Sequence, residues 1–207
     1  MDSSRPVTES PSSSPAYLSE EARYLVKLVV VGGLGVGKTT MVTTVTELRS
    51  VTTDEVMTVA SAAVDNLQFT PQKTTTTVFM DFGRLTLPPG DMVLYLFGSP
   101  GQDRFKDAWQ DLSTGAHGVL VLLDVRRLDD SFAALDLVER SGLPYCVAVN
   151  QFPESPEVSE ETLRDHLDLH PTTPLVLCNA LDFRSSVDAL IALVRHALSR
   201  SRLEAAS

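Results

Sequence analysis

The run Leu25-Val26-Lys27-Leu28-Val29-Val30-Val31 sets one charge among aliphatic residues. Short, almost continuous apolar runs of this kind read as strands covered on both faces. Met92–Phe97, Gly118–Asp124, Pro144–Asn150 and Pro174–Cys178 share that character. Between them the pattern changes to a helical one over Lys38–Arg49, Asp103–Leu112, Asp129–Ser141, Ser159–Leu167 and Arg184–Leu203. The last of these puts Val187, Leu190, Ile191, Val194 and Leu198 on one face. Asp129 or Asp130 suits the start of its helix, and Ser159-x-x-Thr162 is a capping box with Thr in place of Glu, followed by Glu160 and Glu161 in the first turn. Thr76–Leu87 alternates in part, and Pro88-Pro89-Gly90-Asp91 turns it back into Met92–Phe97, which predicts an antiparallel hairpin. Strands that alternate with helices predict an α/β fold. The sheet is expected to have six strands, mostly parallel with one antiparallel edge strand, and helices on both faces.

The flanks differ. Residues 1–16 are rich in Ser and Pro and read as a disordered tail, leaving 17–204 as one domain. Ser50–Lys73 reads as a long connection with a short helix near Glu55–Ala63. A length of 207 residues, 43% of them hydrophobic and 21% charged, suits one globular domain with a proper core. The net charge of −10 argues against nucleic acid or an anionic membrane as the main partner. No run reaches membrane-span length, and neither a signal peptide nor a lipidation motif is visible, so the expectation is a cytoplasmic chain without its own membrane anchor. Cys146 and Cys178 lie in or beside apolar runs and read as core thiols in a reducing compartment. His117, His166, His170 and His196 show no metal-type spacing.

The chemistry concentrates after the first strand. Gly32-Gly33-Leu34-Gly35-Val36-Gly37-Lys38-Thr39 fits G-x-x-x-x-G-K-[ST]. Its glycines let successive backbone N–H groups turn inward around a polyphosphate, and the following helix points its positive end at the anion. Lys38 supplies charge to the β and γ phosphates, the Thr39 hydroxyl can bind Mg²⁺, and Thr40 continues the loop into the helix. ATPases, kinases and GTPases share this loop, so the residues beyond it decide among them.

Lys73-Thr74-Thr75-Thr76-Thr77 enters a predicted edge strand, Val78-Phe79-Met80-Asp81-Phe82. Taken alone, it could be a β-prone surface strand. Thr77-Val78-Phe79-Met80-Asp81-Phe82 also resembles the T-I-G-x-D-F stretch of small GTPases, which implies Thr77 as a switch threonine with its hydroxyl on Mg²⁺ and its N–H on the γ-phosphate. Gly98-Ser99-Pro100-Gly101-Gln102 follows another strand. It resembles the switch II pattern D-x-x-G-Q of small GTPases, a resemblance that implies Gly101 N–H on the γ-phosphate and Gln102 orienting an attacking water. Asn150-Gln151-Phe152-Pro153 resembles the guanine-reading N-K-x-D motif, with Asn150 in place, Gln151 for Lys and Pro153 for Asp; Glu154 stands one residue late. Cys178-Asn179-Ala180-Leu181 resembles the S-A-K loop, in which Ala180 could offer its N–H to a guanine oxygen.

These pieces, in this order, resemble the Ras-like small GTPases over about residues 24–203. Gly98 in place of the Asp of D-x-x-G-Q is similar to bacterial MglA-type GTPases. Thr53-Asp54-Glu55-Val56-Met57-Thr58-x-Ala60-Ser61, with the threonine run, looks like the D component of the bacterial conservons. The resemblance implies a Ras-like P-loop NTPase fold and a GDP/GTP switch that uses Mg²⁺ held by Thr39 and Thr77. It also implies roadblock-domain and sensor-kinase-like partners that recruit the chain to a membrane complex. The MglA-type arginine before the switch threonine is replaced by Thr76, so no arginine finger is expected from that position. The expected activity is slow GTP hydrolysis, with Gln102 and Lys38 as catalytic residues. The alternatives are a nucleotide-binding scaffold with weak hydrolysis or relaxed base specificity, motivated by Gly98 and Pro153, and an ATP-using phosphotransferase with Asp124 as its carboxylate.

Overall fold

The computed structural model describes residues 22–48, 80–100 and 102–205. Along the chain these form β1 (Tyr24–Val31), α1 (Lys38–Val45), β2 (Asp81–Leu87), β3 (Met92–Gly98), α2 (Gln102–Ser113) and β4 (Gly118–Leu123). Then follow α3 (Phe132–Ser141), β5 (Tyr145–Asn150), α4 (Glu160–His166), β6 (Leu175–Cys178) and α5 (Phe183–Ala205). The strands make one six-stranded sheet in the order β2-β3-β1-β4-β5-β6. β2 pairs antiparallel with β3, while β1 runs parallel to both β3 and β4. This is the expected α/β sheet with its antiparallel edge. The tail at 1–16, the connection Ser50–Lys73 and the threonines up to Thr77 lie outside the described residues.

The period of two along a strand sorts the core into two layers. Leu28 and Val30 of β1 face Met41 and Val42 of α1 and Leu190 and Leu193 of α5. Val29 and Val31 face Trp109 and Leu112 of α2 and Leu135 and Val138 of α3. The odd charge in the first run is explained by its surroundings. Lys27 is buried, donates from Nζ to the Thr114 carbonyl at 2.6 Å, and lies over the Phe97 ring. Cys146 and Cys178 are free and buried, and burial pushes both thiols up to about 12. Among the described residues no helix is long and apolar enough to cross a membrane.

Several element limits differ from expectation, each for a local reason. α1 ends at Val45 rather than Arg49. The β-branched run Thr43-Thr44-Val45-Thr46 weakens the helix, and the edge of β2 takes over the backbone: Glu47 N–H donates to the Arg84 carbonyl, and Arg84 N–H to Thr46 Oγ1. α3 begins at Phe132, because Val125–Ser131 forms 3₁₀ turns kinked at Arg127. Asp124 rather than Asp129 or Asp130 caps that segment, accepting from Arg126 N–H at 3.0 Å. Ser159 does cap α4, through Thr162 N–H, and the Thr that replaces Glu meets Ser159 hydroxyl to hydroxyl at 2.8 Å. Leu198 leaves the buried face of α5 and is exposed.

Leu190 has no exposed surface and joins α5 to the sheet. Leu190→Ala is expected to lower unfolding stability by about 2–5 kcal/mol, read by urea titration, with the slope of the transition unchanged.

Candidate functional site

β1 ends against the phosphate loop, at the carboxyl edge of the parallel strands, where α/β sheets place their ligands. Two glycines there are obligatory. Gly32 has φ 145°, and a Cβ on it would stand 2.2 Å from the Leu122 carbonyl of β4. Gly37 has φ 103°, and its Cβ would meet the Asn150 amide nitrogen at 2.6 Å. Gly37 also precedes α1 without a capping side chain, so the helix offers first-turn N–H groups that suit an anion.

Lys38 folds back over this loop. Its Nζ donates to the Gly32 carbonyl at 3.0 Å and the Gly33 carbonyl at 2.8 Å. Burial holds the ammonium below the usual lysine range, and the charge of Asp81 opposes that shift. Thr39 Oγ1 donates to Asp81 Oδ2 at 2.6 Å. Asp81 opens β2 and pairs in register with Gly98 of β3. Ser99, the next residue, is buried, and among the described residues its hydroxyl has no hydrogen-bond partner.

Asn150, at the end of β5, braces two loops. Its Nδ2 donates to the Val36 carbonyl, and its Oδ1 accepts from Ala180 N–H, each at 2.9 Å. Ala180 therefore does not hold a free N–H for a base oxygen, contrary to expectation. An open cleft continues from Gly35 and Gly37 past Gln151, Phe152, Pro153 and Leu181. Its far wall is held by Arg126, whose guanidinium lies 4.1 Å from the Phe152 ring centre. Arg126 forks onto fully buried Asp124, with Nη2 to Oδ2 at 2.7 Å, and reaches Glu154 at 3.2 Å. The fork holds the Asp124 carboxyl below the usual range. Asp124 is locked in a structural pair, which removes it as the carboxylate of the phosphotransferase alternative, and Glu154 faces Arg126.

The remaining predicted positions divide. Gly32, Gly33, Leu34, Gly35, Val36, Gly37, Lys38, Thr39 and Thr40 form one continuous loop and helix start. Thr77 and Gly101 lie outside the described residues, and Gln102 opens α2. Two side chains at the loop were not foreseen in these roles. Asp81 was legible in retrospect: counting back from the turn at Pro88–Asp91 puts it opposite Gly98. Arg127 had no signal in sequence spacing; the kink at its own backbone lets Nη2 donate to the Leu34 carbonyl at 2.6 Å.

Residues 30–200 match the family described as conserved hypothetical ATP binding protein. The chain belongs to this family. It is 28% identical over 128 residues to an uncharacterized protein of Methanocaldococcus jannaschii, a match covering 61% of this chain and 70% of that protein. Among solved structures it resembles the G-domain of FeoB from Methanococcus jannaschii, with a TM-score of 0.58 and 13% identity, over 84% of this chain and 98% of that one. This likeness is one of fold. The chain is thus a member of a nucleotide-binding family with a G-domain-like architecture, and the loop at Gly32–Thr39 is where such a fold carries its phosphate site.

Asn150→Ala removes both braces at once. It is expected to cost about 1–3 kcal/mol in urea unfolding, because the Val36 carbonyl and Ala180 N–H lose their partner. Arg126→Ala is expected to destabilise the protein near neutral pH by leaving Asp124 buried without its cation. Asp124 has a lowered carboxyl pKa in the folded state, so its contribution is present above the ordinary carboxylate value and is lost as pH falls through the folded one. The gap in urea midpoint between wild type and Arg126→Ala should therefore narrow on acidification below about pH 4.

Proposed function

We propose that the chain is a switch that binds a purine nucleoside triphosphate with Mg²⁺ and hydrolyses GTP slowly. The observation that carries this reading is the phosphate loop, with Gly32 and Gly37 in their forced conformations, buried Lys38 at its throat and Thr39 at its exit. Lys38 now rests on two loop carbonyls and would exchange them for phosphate oxygens. Thr39 and Thr77 are the proposed metal-holding hydroxyls; Gly101 N–H and Gln102 are assigned to the γ-phosphate and the attacking water. The hard oxygen donors near the loop suit Mg²⁺, which keeps most of its shell as water and phosphate oxygen. Among the described residues no group of three His, Cys, Asp or Glu gathers as an all-protein cage. When bound, Mg²⁺ would neutralise charge between the β and γ phosphates.

Base selectivity is proposed to be weak. Guanine discrimination of the Ras type needs a carboxylate, and here Pro153 holds that position while Glu154 is drawn to Arg126. Asn150 secures the loops, and Gln151 offers an amide that can face either purine. Arg127 is held on the Leu34 carbonyl, so it braces the loop and is not assigned to phosphate. Turnover without a partner is accordingly expected on the order of 10⁻⁴ to 10⁻² s⁻¹. Roadblock-domain and sensor-kinase-like partners, and recruitment by them to a membrane, follow from the conservon and MglA resemblance alone.

The second reading is a nucleotide-binding scaffold with almost no turnover, which Gly98 and Pro153 favour. Titration with fluorescent GDP and ADP, with and without Mg²⁺, followed by phosphate release, separates the two. The switch reading expects binding that strengthens with Mg²⁺, GDP and ADP affinities within about tenfold of each other, and GTP turnover reduced at least about tenfold by Gln102→Leu. A GDP preference above a hundredfold would refute weak base reading. Turnover unchanged by Gln102→Leu would remove that residue's role. Binding without phosphate release would leave the scaffold.

A further inference from the structure

We infer that Asp81 is the metal-positioning carboxylate of this site, supplied from the edge strand β2 in place of the acidic residue that Gly98 lacks. The inference rests on the Mg²⁺–nucleotide reading above and assigns a residue to it. Three observations converge. First, the register of the hairpin puts Asp81 directly across from Gly98, so its backbone occupies the same level of the sheet, one strand further from the phosphate loop. Second, the side chain crosses that gap. Asp81 Oδ2 accepts from the Thr39 hydroxyl at 2.6 Å, and its charge is felt by Lys38. Third, the crossing is possible only because residue 98 has no side chain. A Cβ at Gly98 would stand 2.9 Å from Asp81 Cβ and 3.0 Å from Oδ2. A carboxylate at 98 and one at 81 are therefore sterically exclusive alternatives.

The role follows from hydroxyl chemistry. A threonine hydroxyl has one proton and two lone pairs. With its proton committed to Asp81, Thr39 keeps its lone pairs for a cation. The free carboxylate oxygen can also accept from a water on such a cation, as outer-shell partners of metal ligands commonly do. Asp81 thus acts through Thr39 and is a positioning residue. Gly98 then leaves no gap in the charge around the metal, because the negative charge is kept and only its strand of origin changes.

The test measures fluorescent GDP affinity in Mg²⁺ and in EDTA for wild type, Asp81→Ala, Asp81→Asn and the transposed double variant Asp81→Gly with Gly98→Asp. Thermal midpoints and Mn²⁺ affinity, read by electron paramagnetic resonance on the GDP complex, are recorded alongside. Asp81→Ala and Asp81→Asn are expected to lose about tenfold or more of the Mg²⁺-dependent affinity and of Mn²⁺ affinity, with binding in EDTA unchanged. Asn keeps an acceptor for Thr39 without the charge, so it guards against a purely structural loss. The transposed variant should regain most of the loss, whereas Gly98→Asp alone should lower the thermal midpoint by crowding Asp81. Mg²⁺-dependent affinity in Asp81→Ala and Asp81→Asn equal to wild type would overturn the inference and leave the nucleotide reading intact. Equal loss in Mg²⁺ and EDTA would also overturn it, by showing a structural role. Wild-type binding with no Mg²⁺ dependence would overturn the parent reading and this one together.

Discussion

The site depends on β1 being paired on both edges and covered on both faces. Such a strand has no freedom to shift: its register against β3 and β4 is set along its length, and its side chains alternate into two separate apolar layers. Its end is therefore a fixed point, from which the phosphate loop departs under backbone constraints that only glycine meets. A side chain on the loop would strike the Leu122 carbonyl of β4 at Gly32 and the Asn150 amide of β5 at Gly37. Strand packing and the loop's glycines together give it one shape.

Around that fixed point the charges are sorted by geometry. One carboxylate, Asp124, is buried and forked by Arg126, where it stiffens the wall beside Phe152. Another, Asp81, reaches the loop's threonine across a neighbouring strand. A third, Glu154, is drawn outward to the same arginine that holds Asp124. The cleft beside the loop is left with amides and apolar walls. The glycine loop is consequently more fully braced than the open cleft beside it.

Much of this was legible in the residues. Continuous aliphatic runs named five strands, of which the edge strand β6 leaves Leu177 exposed, and the Pro-Pro-Gly-Asp turn named the hairpin, because apolar runs and turn chemistry are local in sequence. The loop from Gly32 to Thr39 was legible for the same reason. The end of α1 at Val45 was not, since its backbone groups choose between continuing a helix and bonding β2, and β2 is distant in the chain. Nor was the engagement of Ala180 N–H by Asn150, which needs two loops thirty residues apart to meet.

The sequence by itself determined the apolar runs that become strands, the glycine-rich loop that follows the first of them, and that Gly98 and Pro153 carry no charge. These are properties of single residues and short runs. Only the tertiary structure decided where charge goes instead. Asp81 reaches Thr39 because an antiparallel register sets it against a glycine, and Asp124 is withdrawn from chemistry because Arg126 folds back upon it. A side chain's role is fixed by what lies within about 3 Å of it, and at these positions the hairpin register, the kink after β4 and the meeting of loops choose that neighbour.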